Sequence, residues 1–200
     1  MSFRLKTIYN EQIVPLLMQK FVYANIDQVP KLEKIVVKCC VTELAQNAKG
    51  MEVAMNDLAL ITGQKPNKTG QIAVKARARH SMANYRMHDG QRLGLIVTLR
   101  GNVMYSFLDR LINLGLPRTF DLQGVTPSSF DGHGNYRIRI HEQSMFPEDR
   151  YDAIGKLKGV NVSITTSAKT NEETQNLLAF VGMPFGDNTS MEEEVEESLS

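Results

Sequence analysis

The sequence predicts an α+β fold, in which a mainly antiparallel sheet carries its helices on one face. Two observations lead to this prediction. Helical and strand-like segments follow each other in the order α, β, α, β, β, α, β, β, α along the chain. Both pairs of successive strands are joined by long polar connections, which favour hairpin-like loops over the helical crossovers of a parallel sheet. A sheet of this kind leaves its second face open to bind a partner.

Apolar residues recur at helical spacing in four segments. These segments are residues 4–22, 47–61, 101–116 and 171–181. Pro15 predicts that the first is a bent helix or two short ones. Gly63 follows the second at the position of a C-cap, Gly115 and Pro117 end the third, and Gly182 ends the fourth. The third segment has the broadest apolar face, formed by Met104, Phe107, Leu108, Leu111, Ile112 and Leu114.

Five segments read as strands because they alternate or are rich in β-branched residues. They are residues 31–41, 71–74, 93–99, 136–141 and 160–166. The segment YRIRIH at 136–141 alternates strictly, which places Tyr136, Ile138 and Ile140 on one face and Arg137, Arg139 and His141 on the other. The adjacent Cys39 and Cys40 would likewise point to opposite faces of their strand, so we interpret them as small buried or half-buried residues rather than metal ligands.

The composition is that of an ordinary globular protein, with 42% hydrophobic and 22% charged residues. It argues against a mainly disordered chain, a collagen-like repeat or a disulfide scaffold. No apolar run reaches the length of a membrane-spanning helix, and the first residues lack the apolar region of a secretory signal. We expect one domain over residues 1–185 and an acidic, disordered tail over residues 186–200.

The net charge of +1 conceals an uneven distribution. Six of the 22 acidic residues lie in the tail, which leaves residues 1–185 with a net charge of +7. Residues 65–100 contain eight basic residues and a single acid, Asp89. Most of these cations fall in a polar stretch at residues 75–92, the basic arm, which joins two predicted strands. A local positive field of this size predicts a polyanionic partner.

The sequence contains no recognisable catalytic motif. It has no GxSxG, GxxxxGK[ST] or HExxH, and its four histidines have no metal-ligand spacing. Asp131, Gly132 and His133 form the nearest approach to a site, and we interpret them as a turn. The sequence therefore predicts no enzyme activity, no cofactor and no metal, and it favours a nucleic-acid-binding protein over an enzyme with a small-molecule pocket.

Many short stretches of the chain resemble one family, the bacterial-type large-subunit ribosomal protein five. They run in the family's order from residue 4 to residue 185 and include YNEQIVPLLMQKF, QVPKLEKIVV, LALITGQKP, VTLRG, MYSFLDRLINLGLPRT, SFDGHGNY, EQSMFPE, TTSAKTNEE and GMPF. The stretches QNAKG, FLDRLINL and DGHGNY are most similar to the chloroplast branch of this family.

The resemblance implies a non-enzymatic protein of the central protuberance of the large ribosomal subunit, in a chloroplast or, alternatively, in a bacterium or another organelle. It implies that the open sheet face is concave and binds 5S ribosomal RNA. Further implied partners are large-subunit ribosomal RNA and neighbouring proteins, the peptidyl-site transfer RNA and a small-subunit head protein, with no membrane partner. An RNA-binding or interaction protein that works away from the ribosome on the same fold is the alternative.

Site residues carried over from the resemblance fall into three groups. The ribosomal-RNA-binding group is Lys38, Gln64, Tyr85, Thr98 and Arg100. The group in the loop that contacts transfer RNA is Arg77, Arg79, His80 and Arg86. The group at the intersubunit bridge is Arg118, Thr119, Asp131 and His133.

The chain also departs from the family pattern in ways that bear on these sites. Lys38, Cys39 and Cys40 stand in a stretch where the family has two glycines, so that Lys38 offers a phosphate contact in place of a backbone amide. Residues 70–76 resemble an insertion before the basic arm, and Phe120 occupies a position where the family commonly has arginine. The acidic tail has no counterpart in the usual family end.

Overall fold

A computed structural model describes residues 4–40, 48–63, 74–82, 88–118, 129–140 and 158–185. Its helices are α1 (Arg4–Ile8), α2 (Val14–Phe21), α3 (Ala48–Thr62), α4 (Gly101–Arg110) and α5 (Asn171–Phe180). Its strands are β1 (Leu32–Cys40), β2 (Val74–Arg77), β3 (Arg92–Leu99), β4 (Asn135–Ile140) and β5 (Lys158–Thr166). The strands form one sheet in the order β2-β3-β1-β5-β4, and every neighbouring pair is antiparallel. The predicted α+β class is confirmed.

One face of the sheet packs against the helices. Four strands send buried side chains to this face: Leu95, Val97 and Leu99 from β3, Ile35, Val37 and Cys39 from β1, Val160, Val162 and Ile164 from β5, and Tyr136, Ile138 and Ile140 from β4. The helices complete the same cluster with Leu5, Ile13, Leu17, Leu58, Ile61, Met104, Phe107, Leu108, Leu111, Leu177 and Leu178. The predicted alternation in β4 is therefore confirmed, as is the burial of the Cys39 thiol. His141 lies outside the described residues.

The N-terminal helical segment is divided into two α-helices just before Pro15, one of the two forms that the proline predicts. α1 passes into α2 through a π-helical turn at Tyr9–Ile13, in which the Val14 amide donates to the Tyr9 carbonyl. α2 begins at Val14, so Pro15 lies in its first turn. An α-helix leaves the backbone N–H groups of its first turn without an intrahelical partner, so the missing N–H of proline is tolerated there. The Arg4 guanidinium reaches the Asp109 carboxylate of α4 at 3.2 Å, and the Tyr9 hydroxyl donates to the Pro30 carbonyl at 3.0 Å.

Two elements differ from their predicted form. The structure describes β2 from Val74 to Arg77, so the first residues of the basic arm are strand, whereas residues 71–73 of the predicted strand lie outside the described residues. The ladder extends past β2 through the hydrogen bond from the Ala78 amide to the Gln91 carbonyl at 2.8 Å. α4 continues through a π-turn at Leu111–Gly115 and a 3₁₀ turn at Leu116–Arg118. Because a π-turn rotates less per residue than an α-helix, Leu114 leaves the predicted apolar face and is 44% exposed.

The residue that ends α2 adopts a conformation that L-amino acids avoid. Val22 has φ of 50° and ψ of 51°, in the left-handed region, and its side chain is 86% exposed. A β-branched residue is especially disfavoured there, and glycine usually occupies this position at the end of a helix.

Val22→Gly should therefore raise the free energy of unfolding by about 1 kcal/mol, because it relieves the left-handed strain without removing buried surface. The measurement is equilibrium unfolding in urea. Val22→Ala keeps a Cβ and should therefore raise the free energy of unfolding by less than Val22→Gly does. Leu60→Gly, at an exposed position inside α3, should lower stability by about 1 kcal/mol. A Val22→Gly protein less stable than the parent would contradict the left-handed conformation.

Candidate nucleic-acid interface

The sheet face opposite the helices presents three cross-strand rows of side chains, which we call the open face. The first row crosses all five strands through Val74, Ile96, Lys38, Asn161 and Arg139. The second consists of Thr98, Val36, Ser163 and Arg137, and the third of Lys34, Thr165 and Asn135. These twelve positions include four cations, five uncharged polar residues and no acid. The rows therefore form a surface suited to an anionic partner.

The cations of the open face are available to a ligand. Lys38, Arg137 and Arg139 are exposed and Lys34 is half-buried. Within the part of the chain that the structure describes, none of the four makes an ion pair or a side-chain hydrogen bond. Val36 and Ile96 are half-buried on the same face and provide apolar contact surface. A surface on which cations alternate with apolar side chains suits a ribose-phosphate chain better than a small charged metabolite.

At its β4 edge the open face is bordered by a tight turn. Phe130 pairs with Tyr136 in an isolated bridge, and the Asp131 carboxylate between them closes the turn. It accepts hydrogen bonds from the His133 amide at 2.9 Å, the Asn135 amide at 3.0 Å and the Asn135 Nδ2 at 2.7 Å. Desolvation by burial works in the opposite direction, but these donors together lower the pKa of Asp131 below its ordinary value. The turn interpretation of this motif is confirmed.

Gly134 packs closely against the start of α5 and the residues before it. Its φ is +74°, and a Cβ on it would lie 2.6 Å from the Ala168 carbonyl oxygen, so that no other residue fits without displacement of the backbone. Its own carbonyl accepts hydrogen bonds from the buried hydroxyls of Thr166 at 2.6 Å and Thr174 at 2.8 Å. A capping box between Thr170 and Glu173 starts α5 beside these residues. The edge of the open face is therefore held rigidly against the core.

A cavity of about 420 Å³ opens where this turn meets the open face. Ser129, Phe130 and Asp131 line it from the turn, and Arg137, Arg139 and Ser163 line it from β4 and β5. Its volume is within the range of small-ligand sites.

The structure brings together part of the ribosomal-RNA-binding group predicted from the sequence. Lys38 and Thr98 lie on adjacent strands and on the same face, because Val36 pairs with Thr98 and Lys38 with Ile96. Arg100 is exposed and lies directly after β3, at the N-cap of α4. Gln64 and Tyr85 lie outside the described residues.

The site residues predicted from the sequence do not include four residues that share the open face with Lys38, namely Arg137, Arg139, Asn161 and Ser163. The alternation of 136–141 pointed to the two arginines. Their position beside Lys38 follows only from the strand order, which the sequence does not show.

The other two predicted groups lie at opposite edges of the sheet. Arg77, Arg79 and His80 are exposed at the β2 edge, and Arg77 pairs with Arg92 beside a bulge. Asp131 and His133 are exposed in the turn at the β4 edge. Arg86 and Thr119 lie outside the described residues, and Arg118 ends the 3₁₀ turn after α4. The two edge groups are therefore separate surfaces rather than parts of one site.

Two other kinds of feature are absent from the described ranges. They contain no group of three or more His, Cys, Asp or Glu residues able to hold a metal ion. In the same ranges, no helix is both long and apolar enough to cross a membrane.

Comparison with known proteins relates the sequence of this chain to one family. The model described as "Ribosomal protein L5" matches residues 25–87, and that of the "ribosomal L5P family C-terminus" matches residues 92–185. The chain is 59% identical over 182 residues to "Large ribosomal subunit protein uL5c" of Arabidopsis thaliana, a match that covers 91% of this chain and 67% of the relative.

Two further relatives span the plant and cyanobacterial forms. The uL5c protein of Spinacia oleracea is 56% identical, over 91% of this chain and 68% of the relative. The uL5 protein of a Synechocystis strain is 51% identical, over 92% of this chain and 99% of the relative. The chain therefore belongs to the bacterial and chloroplast-type uL5 family, whose members are non-enzymatic structural constituents of the large ribosomal subunit.

Proposed function

We propose that this chain binds 5S ribosomal RNA in the central protuberance of the large subunit, through the open face. The observation that carries the proposal is the set of three rows with four cations and no acid. RNA binding depends first on neutralising phosphates with Lys and Arg, and the release of counterions makes it sensitive to salt. The hydroxyl and amide side chains between the cations match the 2′-hydroxyl groups that distinguish RNA from DNA.

Individual roles follow from side-chain chemistry. Lys38 is exposed in the central strand and supplies a point charge to a phosphate. Thr98, on the neighbouring strand, offers a hydroxyl that can donate to a phosphate or accept from a ribose. Arg100 extends the same side of the sheet beyond the end of β3. From the family resemblance, Gln64 adds an amide and Tyr85 a ring that stacks on a base or packs on a sugar.

The two edges of the sheet serve different partners in this proposal. The basic arm at the β2 edge contacts the peptidyl-site transfer RNA through Arg77, Arg79, His80 and Arg86. The β4 edge, with Asp131 and His133, and the segment of Arg118 and Thr119 meet a small-subunit head protein in an intersubunit bridge. The exposure of Arg77, Arg79 and His80 and the distance between the edges in the strand order support this division.

The ribosome in question is that of a chloroplast. Two plant uL5c proteins, at 59% and 56% identity, exceed the 51% of the cyanobacterial protein and support this compartment, while the uL5c protein of Oryza sativa is also 51% identical. Large subunits purified from washed chloroplasts should contain the chain in mass spectrometry. Detection only in particles from another compartment, or only in a slowly sedimenting pool free of ribosomes, would reject the compartment or the ribosomal role respectively.

Lys38→Gln should weaken binding of 5S ribosomal RNA about tenfold, because one phosphate contact is lost from an exposed strand position. It should also reduce the slope of log K against log salt by about one. Filter binding over a salt series measures both quantities. Lys169→Gln, an exposed lysine outside the open face, is the matched control and should leave both unchanged. Equal affinity of the Lys38→Gln protein and the parent would contradict the proposed interface.

Replacement of Arg77, Arg79 and Arg86 by alanine should leave 5S RNA affinity and assembly into large subunits nearly unchanged, and should slow translation by the assembled ribosomes. The reason is that the described members of this group lie at the β2 edge, away from the rows that contact 5S RNA. Sucrose-gradient analysis and an in vitro translation assay separate the two effects. Failure of the variant to enter large subunits would make the arm an assembly element instead.

A further inference from the structure

We infer that the cavity between the 129–131 turn, β4 and β5 is a second RNA subsite, which captures the phosphate and base of an unpaired nucleotide. This inference rests on the proposed binding of ribosomal RNA by the open face. It adds a specific site, made by Arg137 and Arg139, to a surface whose predicted contacts within the described residues were Lys38, Thr98 and Arg100. The cavity has a volume of about 420 Å³.

Arg137 and Arg139 provide the phosphate-binding part of this subsite. They lie two residues apart on β4, so both side chains project from the same face, and both line the cavity. Both are exposed, and neither has an ion pair or side-chain hydrogen bond to any described residue. Two guanidinium groups side by side can each form bidentate hydrogen bonds with a phosphate, which lysine cannot do.

The polar neighbours of the arginines support an anionic ligand. Ser163 pairs with Arg137 and Asn161 with Arg139 across the β4–β5 ladder, so each cation has an uncharged polar side chain beside it. Asp131 is an acid in the cavity lining, and its carboxylate accepts three hydrogen bonds from within its own turn. The carboxylate of Asp131 is thus hydrogen-bonded within its own turn and forms no ion pair with either arginine.

The shape of the site favours an unpaired nucleotide over a duplex or a free phosphate. An inorganic phosphate would occupy only a small part of the cavity, and a duplex offers no base to enter it. Phe130 lines the cavity, but its ring packs on the core side, with its centroid 4.6 Å from that of Tyr136 and 6.2 Å from that of Phe185. The plane on which a base can stack is therefore a guanidinium group of Arg137 or Arg139. Proteins commonly recognise unpaired RNA by stacking a base on an aromatic ring or a guanidinium plane while cations hold its backbone.

The position of the subsite links it to the rest of the open face. Lys38 and Arg139 belong to the same cross-strand row and are separated by two strand spacings, or about 10 Å. An RNA strand that contacts Lys38 can therefore continue over Asn161 into the cavity without leaving the sheet.

The test uses the full chain with Arg137 and Arg139 both changed to glutamine, and a second variant with both changed to lysine. The glutamine variant should bind 5S ribosomal RNA about tenfold more weakly or worse. The lysine variant should keep the salt slope of the parent because it retains the charge. It should nevertheless show most of the affinity loss of the glutamine variant, because it lacks the planar guanidinium groups. Both variants should keep the melting temperature of the parent, since these side chains are exposed.

Model probes separate the possible ligands. A single-stranded uridine decamer should lose affinity in both variants, whereas a blunt ten-base-pair RNA duplex should lose affinity only in the glutamine variant. Inorganic phosphate should bind too weakly to compete. Equal losses for single strand and duplex would overturn the unpaired-nucleotide assignment. Binding of a glutamate decamer as tight as that of the RNA and equally dependent on the arginines would assign the cavity to an acidic peptide.

Comparison with Lys38→Gln distinguishes failure of the subsite from failure of the proposed function. If Lys38→Gln weakens 5S RNA binding and the two arginine variants do not, the open face binds RNA and the subsite is wrong. If neither change weakens binding, the proposed RNA interface itself is wrong. Lys169→Gln again serves as the control for a lost exposed cation.

Discussion

The pairing of β1 with both β3 and β5 is the constraint on which the rest of the structure depends. β1 lies in the centre of the sheet, and its alternate residues belong to two different surfaces. Ile35, Val37 and Cys39 are fully buried against the helices, while Lys34 and Lys38 lie on the open face. A slip of one residue would put cations into the core and apolar residues on the open face. The hydrophobic core therefore fixes the register that assembles the polar rows.

The β4 edge needs additional stabilising contacts because an edge strand pairs with a neighbouring strand on one side only. Here the stabilising contacts are those of the turn closed by Asp131 and of Gly134 with α5. The Gly134 carbonyl accepts from two buried threonine hydroxyls, which would be costly to leave unpaired, and the backbone approach excludes any Cβ. These interactions support no ligand directly. They determine where the strand that carries Arg137 and Arg139 begins.

The fold class and the two faces of the sheet could be predicted from the sequence because both depend on local periodicity. The alternation in residues 136–141 was sufficient to separate Tyr136 from Arg137. The strand residues after Val74 were missed because VKAR contains one β-branched residue and forms an edge strand, so its pairing with β3 rather than its composition determines where it ends. Leu114 was misplaced because a π-turn changes the helical period, which the residue types alone do not show.

The candidate site was less predictable than the fold because it joins distant parts of the chain. The cavity combines Phe130, Arg139 and Ser163, which are brought together by the register of β4 with β5. Charge counting had pointed to residues 65–100, where the local excess of cations is greatest. The four cations of the open face all lie outside that segment, since two come from β1 and two from β4.

This distribution of charge has a physical consequence for RNA binding. The β2 and β4 edges are separated by four strand spacings, or about 19 Å, which exceeds the screening length of about 8 Å at physiological salt. Exposed cations at the two edges therefore act almost independently, and a substitution at one edge should have little effect on a ligand held at the other. In the proposed interface, the charge density of the basic arm attracts RNA at long range, whereas the fewer cations on the strands would contact individual phosphates. A count of charge along the sequence detects the first property and misses the second, because only the sheet brings Lys38 and Arg139 into one row.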